Sequence, residues 1–148
     1  MAWVPLCYHK RPKWPATLWD AMTAVGTAVS LRRHGRIDIV HARTFVAGVM
    51  GLMLAPVIGA QLVFHNEGFY PDEQVDGGFW RYGSWPHRLA RRLEGRLYDR
   101  ADGLIVLSHR ARTVVEARGA VRARGTPVIV VPSCVDLEHF RADPTPKA

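Results

Sequence analysis

The sequence predicts an α/β fold in which a parallel sheet carries helices on both faces, and three observations support it. Helical and strand-like patterns alternate along the chain, the strand-like patterns are short continuous apolar runs, and Gly, Pro and Ser separate them. Continuous apolar strands belong to sheets buried on both sides, and strict alternation of the two element types builds parallel βαβ units. The chain's 148 residues, 48% hydrophobic and 22% charged, are enough for a packed core and unlike a disordered composition.

The first helical pattern carries Leu18, Met22, Val25 and Val29 as its stripe. Thr17 with Asp20 offers a capping-box start, and Arg32, Arg33, His34 and Gly35 form a stop. Ile37 to His41 reads as a buried strand, and Thr44 as the cap of a second helix that Pro56 ends. Gln61 to His65 is the next strand. It opens into Asn66 to Trp85, a stretch rich in Gly, Pro, acidic and aromatic residues that is longer than an ordinary connection. Its aromatics Phe69, Tyr70, Phe79, Trp80 and Tyr82 favour an ordered, functional loop over disorder.

From Ser84 and Pro86 an arginine-rich helix runs to about Ala101, with Leu89, Leu93 and Leu97 as its buried stripe, and Gly103 follows it. Leu104 to Leu107 is a strand, Ser108 caps a helix ending near Gly119, and Val128 to Val131 is the last strand before Pro132. Thr44 to Phe64 carries no charge, but Pro56, Gly59 and Gln61 divide it, which favours a buried helix and strand over a membrane span. The run from Trp3 to Tyr8 is too short for the apolar part of a signal peptide.

Cys7 and Cys134 lie far apart and form no metal-binding or redox spacing, so two free thiols in a reducing compartment are expected. The net charge of +7 comes mainly from arginines at 88 to 100 and 110 to 124. Such a field suits nucleic acid, anionic lipid or a phosphorylated substrate, and charge by itself selects none of them.

In open parallel sheets, ligands bind beyond the carboxyl ends of the strands. That rule alone collects His41 with Arg43, His65 with Asn66 and Glu67, Ser108 with His109, and Ser133 with Cys134 and Asp136. Ser108 is explained by capping alone, and His41 by either a core or a site role. His65 is the strongest candidate, because a titratable ring, the Glu67 carboxylate and the open backbone of Gly68 share one short segment. No zinc-protease, P-loop, nucleophile-elbow or dinucleotide motif is present.

Four blocks, in order, resemble the N-terminal domains of family 4 glycosyltransferases. They are Asp38 to Arg43 before a helix, the strand ending in His65, Arg100-Ala101-Asp102-Gly103 with Leu104 to Ser108, and Val130 to Phe140 containing Pro132-Ser133-Cys134-Val135-Asp136. Tyr8 to Pro12, Gly68-Phe69 and Asp72-Glu73 resemble one bacterial subgroup, whose Asp-x-Arg-Gly-Phe run stands here as His65-Asn66-Glu67-Gly68-Phe69.

The resemblance implies a Rossmann-like, partial GT-B N-terminal domain over residues 1–140, with 141–148 a linker or truncated end. It also implies retaining transfer without a metal, from a nucleotide-sugar held by a C-terminal donor domain to a sugar or lipid-linked acceptor, in glycan or glycolipid synthesis. No cofactor is expected in this domain. His65 takes the catalytic position; Arg43, Glu67, Gly68, Phe69 and Glu73 the acceptor pocket; and His41, Asn66, Ser108, Ser133 and Cys134 the cleft wall.

The family's first strand and its donor domain have no counterpart in these blocks, so a fragment inactive by itself is expected, with an exposed sheet edge that associates. The alternative is a non-catalytic module that pairs with a partner chain. In this context the Arg88 to Arg100 helix is expected to meet an anionic membrane surface, not nucleic acid, on a cytoplasmic protein peripheral to the inner membrane.

Overall fold

A computed structural model describes residues 13–134. Six α-helices and four strands follow the alternation expected of the sequence: α1 (Lys13–Leu31), β1 (Ile39–Arg43), α2 (Phe45–Ile58), β2 (Gln61–Asn66), α3 (Tyr70–Asp76), α4 (Trp85–Arg100), β3 (Gly103–Val106), α5 (His109–Glu116), α6 (Gly119–Arg124) and β4 (Val128–Val130). A 3-10 turn, Arg32–His34, ends α1. The strands form one sheet in the order β1-β2-β3-β4, and every pairing is parallel.

Register explains which strand residues are buried. Val40 lies beside Leu62, and Ala42, Phe64, Leu104 and Val128 form a row across all four strands, with Asn66, Val106 and Val130 in the next. Phe64, Leu104 and Val106 on this face are almost wholly enclosed, in one cluster with Leu97, Val115 and Val121 from the helices. Gly48 and Gly51 let α2 lie close on the sheet. A Cβ at Gly48 would come within 2.8 Å of the Phe64 ring, and one at Gly51 within 2.8 Å of Leu62.

The opposite face holds Ile39, His41, Arg43, Gln61 and Ile129, all exposed, with Val63, His65 and Ile105 half-buried. Flanking helices are present as expected. Where the sequence suggested cover on both faces, the described helices pack on one. Consecutive strands laid side by side in order keep their crossover helices together, and the contacts run in that sequence, α1 with α2, α2 with α4, and α4 with α6.

Asp102 explains the Ala101-Asp102-Gly103 block structurally. Its Oδ2 accepts from the Leu62 amide at 2.9 Å and its Oδ1 pairs with Arg124, so it ties the start of β2 to α6. Ser108 caps α5 as expected, its hydroxyl accepting from the Ala111 amide at 3.1 Å.

Several local expectations shift. Helix α1 begins at Lys13, four residues before Thr17, with Pro15 in the first turn where its missing N–H costs little. Met22 and Val29 are exposed, and Ala21, Ala24, Val25 and Ala28 turn inward, roughly a quarter turn from the expected stripe. The first strand is Ile39–Arg43, two residues later than expected. Pro56 lies inside α2 and forfeits only its own hydrogen bond; the helix stops at Gly59, whose φ is 69°.

In α4, Leu97 is buried, but Leu89 is exposed, and His87, Ala90, Glu94 and Tyr98 complete the inward face. A strict spacing of four drifts around a helix of 3.6 residues per turn, so Leu89 has rotated out by the time Leu97 faces the sheet. The long stretch after β2 contains α3, and a second short helix, α6, follows α5. No described helix is long and apolar enough to cross a membrane.

Candidate functional site

The carboxyl ends of the four strands bring their polar residues to one edge of the sheet. Arg43, His65 and Ile105 are in register across β1, β2 and β3, and Asn66 is level with Val106 and Val130. His41 and His65 point to the open face and stack, with ring centroids 5.7 Å apart and an interplanar angle of 10°. His41 is exposed, so it is not a core histidine.

Arg43 reaches over the end of β2 and binds the Glu67 carboxylate through both Nε and an Nη nitrogen. His65 sits among these groups. Its burial holds the imidazole below its usual titration range, the neighbouring His41 and Arg43 push it further down, and Glu67 opposes them. These groups together favour the neutral ring. Its Nε2 is buried and has no hydrogen-bond partner among the described residues.

Thr44 connects β1 to α2 in a strained conformation, φ 73° and ψ 164°, a region that β-branched residues rarely enter. Its amide donates to the His65 carbonyl at 3.1 Å and its carbonyl accepts from the Gly48 amide at 2.9 Å, so both flanking elements hold it there. Thr44 occupies the expected capping position, but its hydroxyl caps nothing.

Beside this edge lies a cavity of about 280 Å³ lined by Thr44, Phe45, Glu67, Gly68, Tyr70 and Glu73. Asn66 is buried at the end of β2, and its Oδ1 accepts from the Gly68 amide at 3.4 Å, turning the chain off β2. The Glu73 carboxylate lies over Gly68, where a Cβ would make it swing aside. Phe69 packs against the core and, as the residue before α3, takes the Asp72 and Glu73 amides on its carbonyl. Phe45 and Tyr70 stack at 4.7 Å, and Trp80 meets Tyr70 edge-on at 5.7 Å.

Of the residues singled out from sequence, His41, Arg43, His65 and Glu67 form one contacting group, and Glu67, Gly68 and Glu73 line the cavity beside it. Ser108 is exposed and engaged in capping, and Ser133 and Cys134 are exposed in the segment after β4. They share the edge of the sheet but not the cavity. Asp136 and Cys7 lie outside the described residues. Sequence reasoning missed Phe45 and Tyr70 as a stacked wall and Thr44 as a strained corner. The signal for α3 was present in Pro71-Asp72-Glu73, a proline and two acids that suit a helix's first turn.

Behind α3 lies a second polar cluster. Glu94, only 4% exposed, is raised to about 7, chiefly by burial, with Asp72 adding to the rise and Arg91 and Arg118 opposing it. Arg91 bridges Asp72 of α3 at 3.2 Å and Glu94 of its own helix at 3.5 Å. The cluster ties the helix bearing Glu73 to α4. Among the described residues, no group of three or more His, Cys, Asp and Glu side chains converges as a metal site.

No curated protein matches the chain in sequence. Residues 1–141 match the glycosyl transferase 4-like domain, and with its parallel sheet and polar carboxyl edge the chain belongs to that family of glycosyltransferase domains.

Proposed function

We propose that this chain forms the acceptor side of a retaining sugar-transfer site, with His65 as the catalytic residue that touches the reacting sugar. The donor in this reading is a nucleotide-sugar held by a second domain, the acceptor belongs to glycan or glycolipid synthesis, and the 148 residues by themselves bind without turnover. The observation that carries the reading is the position of His65 at the carboxyl edge, two residues before Glu67 of the cavity wall, with an Nε2 that no described residue hydrogen-bonds. A neutral ring both donates and accepts, which suits a sugar hydroxyl. Grafting this segment onto the donor domain of an active two-domain relative and measuring transfer tests it. His65→Ala is expected to reduce turnover by about 100-fold, the scale of a positioned proton-exchanging group. Unchanged turnover would refute the assignment.

A membrane-facing surface is a second element of the proposal. Trp85, Arg88, Leu89 and Arg92 line a hollow of about 330 Å³ on the outer side of α4, and Phe79 and Tyr82 stand exposed nearby in sequence, 76% and 78% open. Arginines interleaved with aromatic rings suit the interface of an anionic bilayer, which supports a peripheral position on the cytoplasmic leaflet. Co-sedimentation with phosphatidylglycerol vesicles, but not with phosphatidylcholine vesicles, is the expected result. Equal recovery with both would refute it.

A further inference from the structure

The charge balance of the cavity restricts the acceptor, an inference that rests on the acceptor reading above. Glu67 of the cavity wall is engaged by two nitrogens of the Arg43 guanidinium, so the charges of this pair are mutually satisfied. Glu73 lines the same cavity, and it has no ion pair or hydrogen bond to its side chain among the described residues. Its carboxylate lies over Gly68.

A carboxylate offers only acceptor positions, so whatever it contacts must donate. Hydroxyl and ammonium groups do so. A phosphate or carboxylate placed there would meet an uncompensated like charge, because none of the described lining residues is a cation and Arg43 is already paired with Glu67. The remaining wall is the stacked pair Phe45 and Tyr70, with Trp80 against Tyr70. Aromatic walls suit the apolar C–H surface of a pyranose, and a cavity of about 280 Å³ stands at the lower end of small-molecule pockets, room for one ring.

We infer that the cavity takes a single sugar ring that presents hydroxyl or ammonium donors to Glu73 and carries no negative charge there. Phosphorylated and uronic acid acceptors are excluded by the same balance, although the protein's net charge of +7 would suggest them.

The test is a titration of the 148-residue chain, followed by NMR, with methyl glucoside, glucosamine and glucuronate. Signals of Phe45, Gly68 and Tyr70 are expected to move with the first two, and glucosamine to bind about tenfold more tightly than glucuronate. Glu73→Gln is expected to cancel the preference for glucosamine over glucuronate while the circular dichroism spectrum is unchanged. Glucuronate binding as tightly as glucosamine would overturn the charge assignment, and silence of these signals with all three sugars would overturn the site. Either failure leaves the His65→Ala transfer experiment free to succeed, so the two readings fall separately.

Discussion

On one face of the sheet Phe64, Leu104 and Val106 are at most 1% exposed; on the other, Ile39 and Ile129 are 56% and 58% exposed, beside His41 and Arg43. The two faces come from the same short strands, one residue apart. What separates them is the partner each meets: the first receives α2, α4, α5 and α6, and the second meets no described helix. The difference shows where stability resides and where chemistry is free to vary. The covered face resists substitution by packing, whereas the open face carries the stacked histidines and the arginine at the candidate site.

The largest expected contrast is between paired truncations. Phe64→Ala, which empties the centre of the covered face, is expected to cost about 3 to 5 kcal/mol, and Ile129→Ala on the open face less than about 0.5 kcal/mol. Urea denaturation of both variants measures it. Similar losses would mean that the second face is covered in solution and would end the comparison.

Among the buried polar residues of the covered side, Asn66, His87 and Glu94, it is Glu94 whose pH dependence sharpens the contrast. Glu94 is raised from 4.5 to about 7, so the folded protein holds this proton over a range where the unfolded chain has released it. Stability from this group is complete below about pH 4.5 and is lost as pH rises through about 7. The loss is on the order of 3 kcal/mol. Glu94→Gln is expected to remove this slope and to raise the melting temperature at pH 8, while leaving it little changed at pH 4.5. A pH slope unaltered by the substitution would mean that the carboxylate is stabilised charged, by Arg91 and Arg118.

The smallest effect is expected at Thr44, where covered and open faces meet. Thr44→Gly relieves the φ of 73° but frees the unfolded chain, so a net gain below about 1 kcal/mol is expected. A clear loss of stability, measured by the same denaturation, would mean that the methyl and hydroxyl make contacts that outweigh the strain.

Strand positions were legible because short apolar runs rich in β-branched residues, such as Val128 to Val131 and Leu104 to Leu107, suit a buried strand, and each lies within two residues of the observed element. Ser108 was legible for a similar local reason: an N-cap is a contact with its own next turn. Helix faces were less so. Leu89 drifts off the buried face of α4 with its spacing of four, and Met22 of α1 faces outward while the small residues Ala24 and Ala28 turn inward. The candidate site was half legible. The strand-end rule found His65 and Arg43, but Phe45 at the start of α2 and Tyr70 at the start of α3 are brought together by the fold, and neither side chain announces the other.

Apolar runs, breakers and caps encoded in the sequence determined the alternation of elements, the parallel sheet and the edge at which its polar residues collect, because each depends on interactions within a few residues. Which face the helices cover, which charges cancel, and how far His65 is shielded were decided only by tertiary structure. Those properties depend on distance through space, and the residues that set them, Arg43 with Glu67 and Phe45 with Tyr70, lie more than twenty positions apart in the chain.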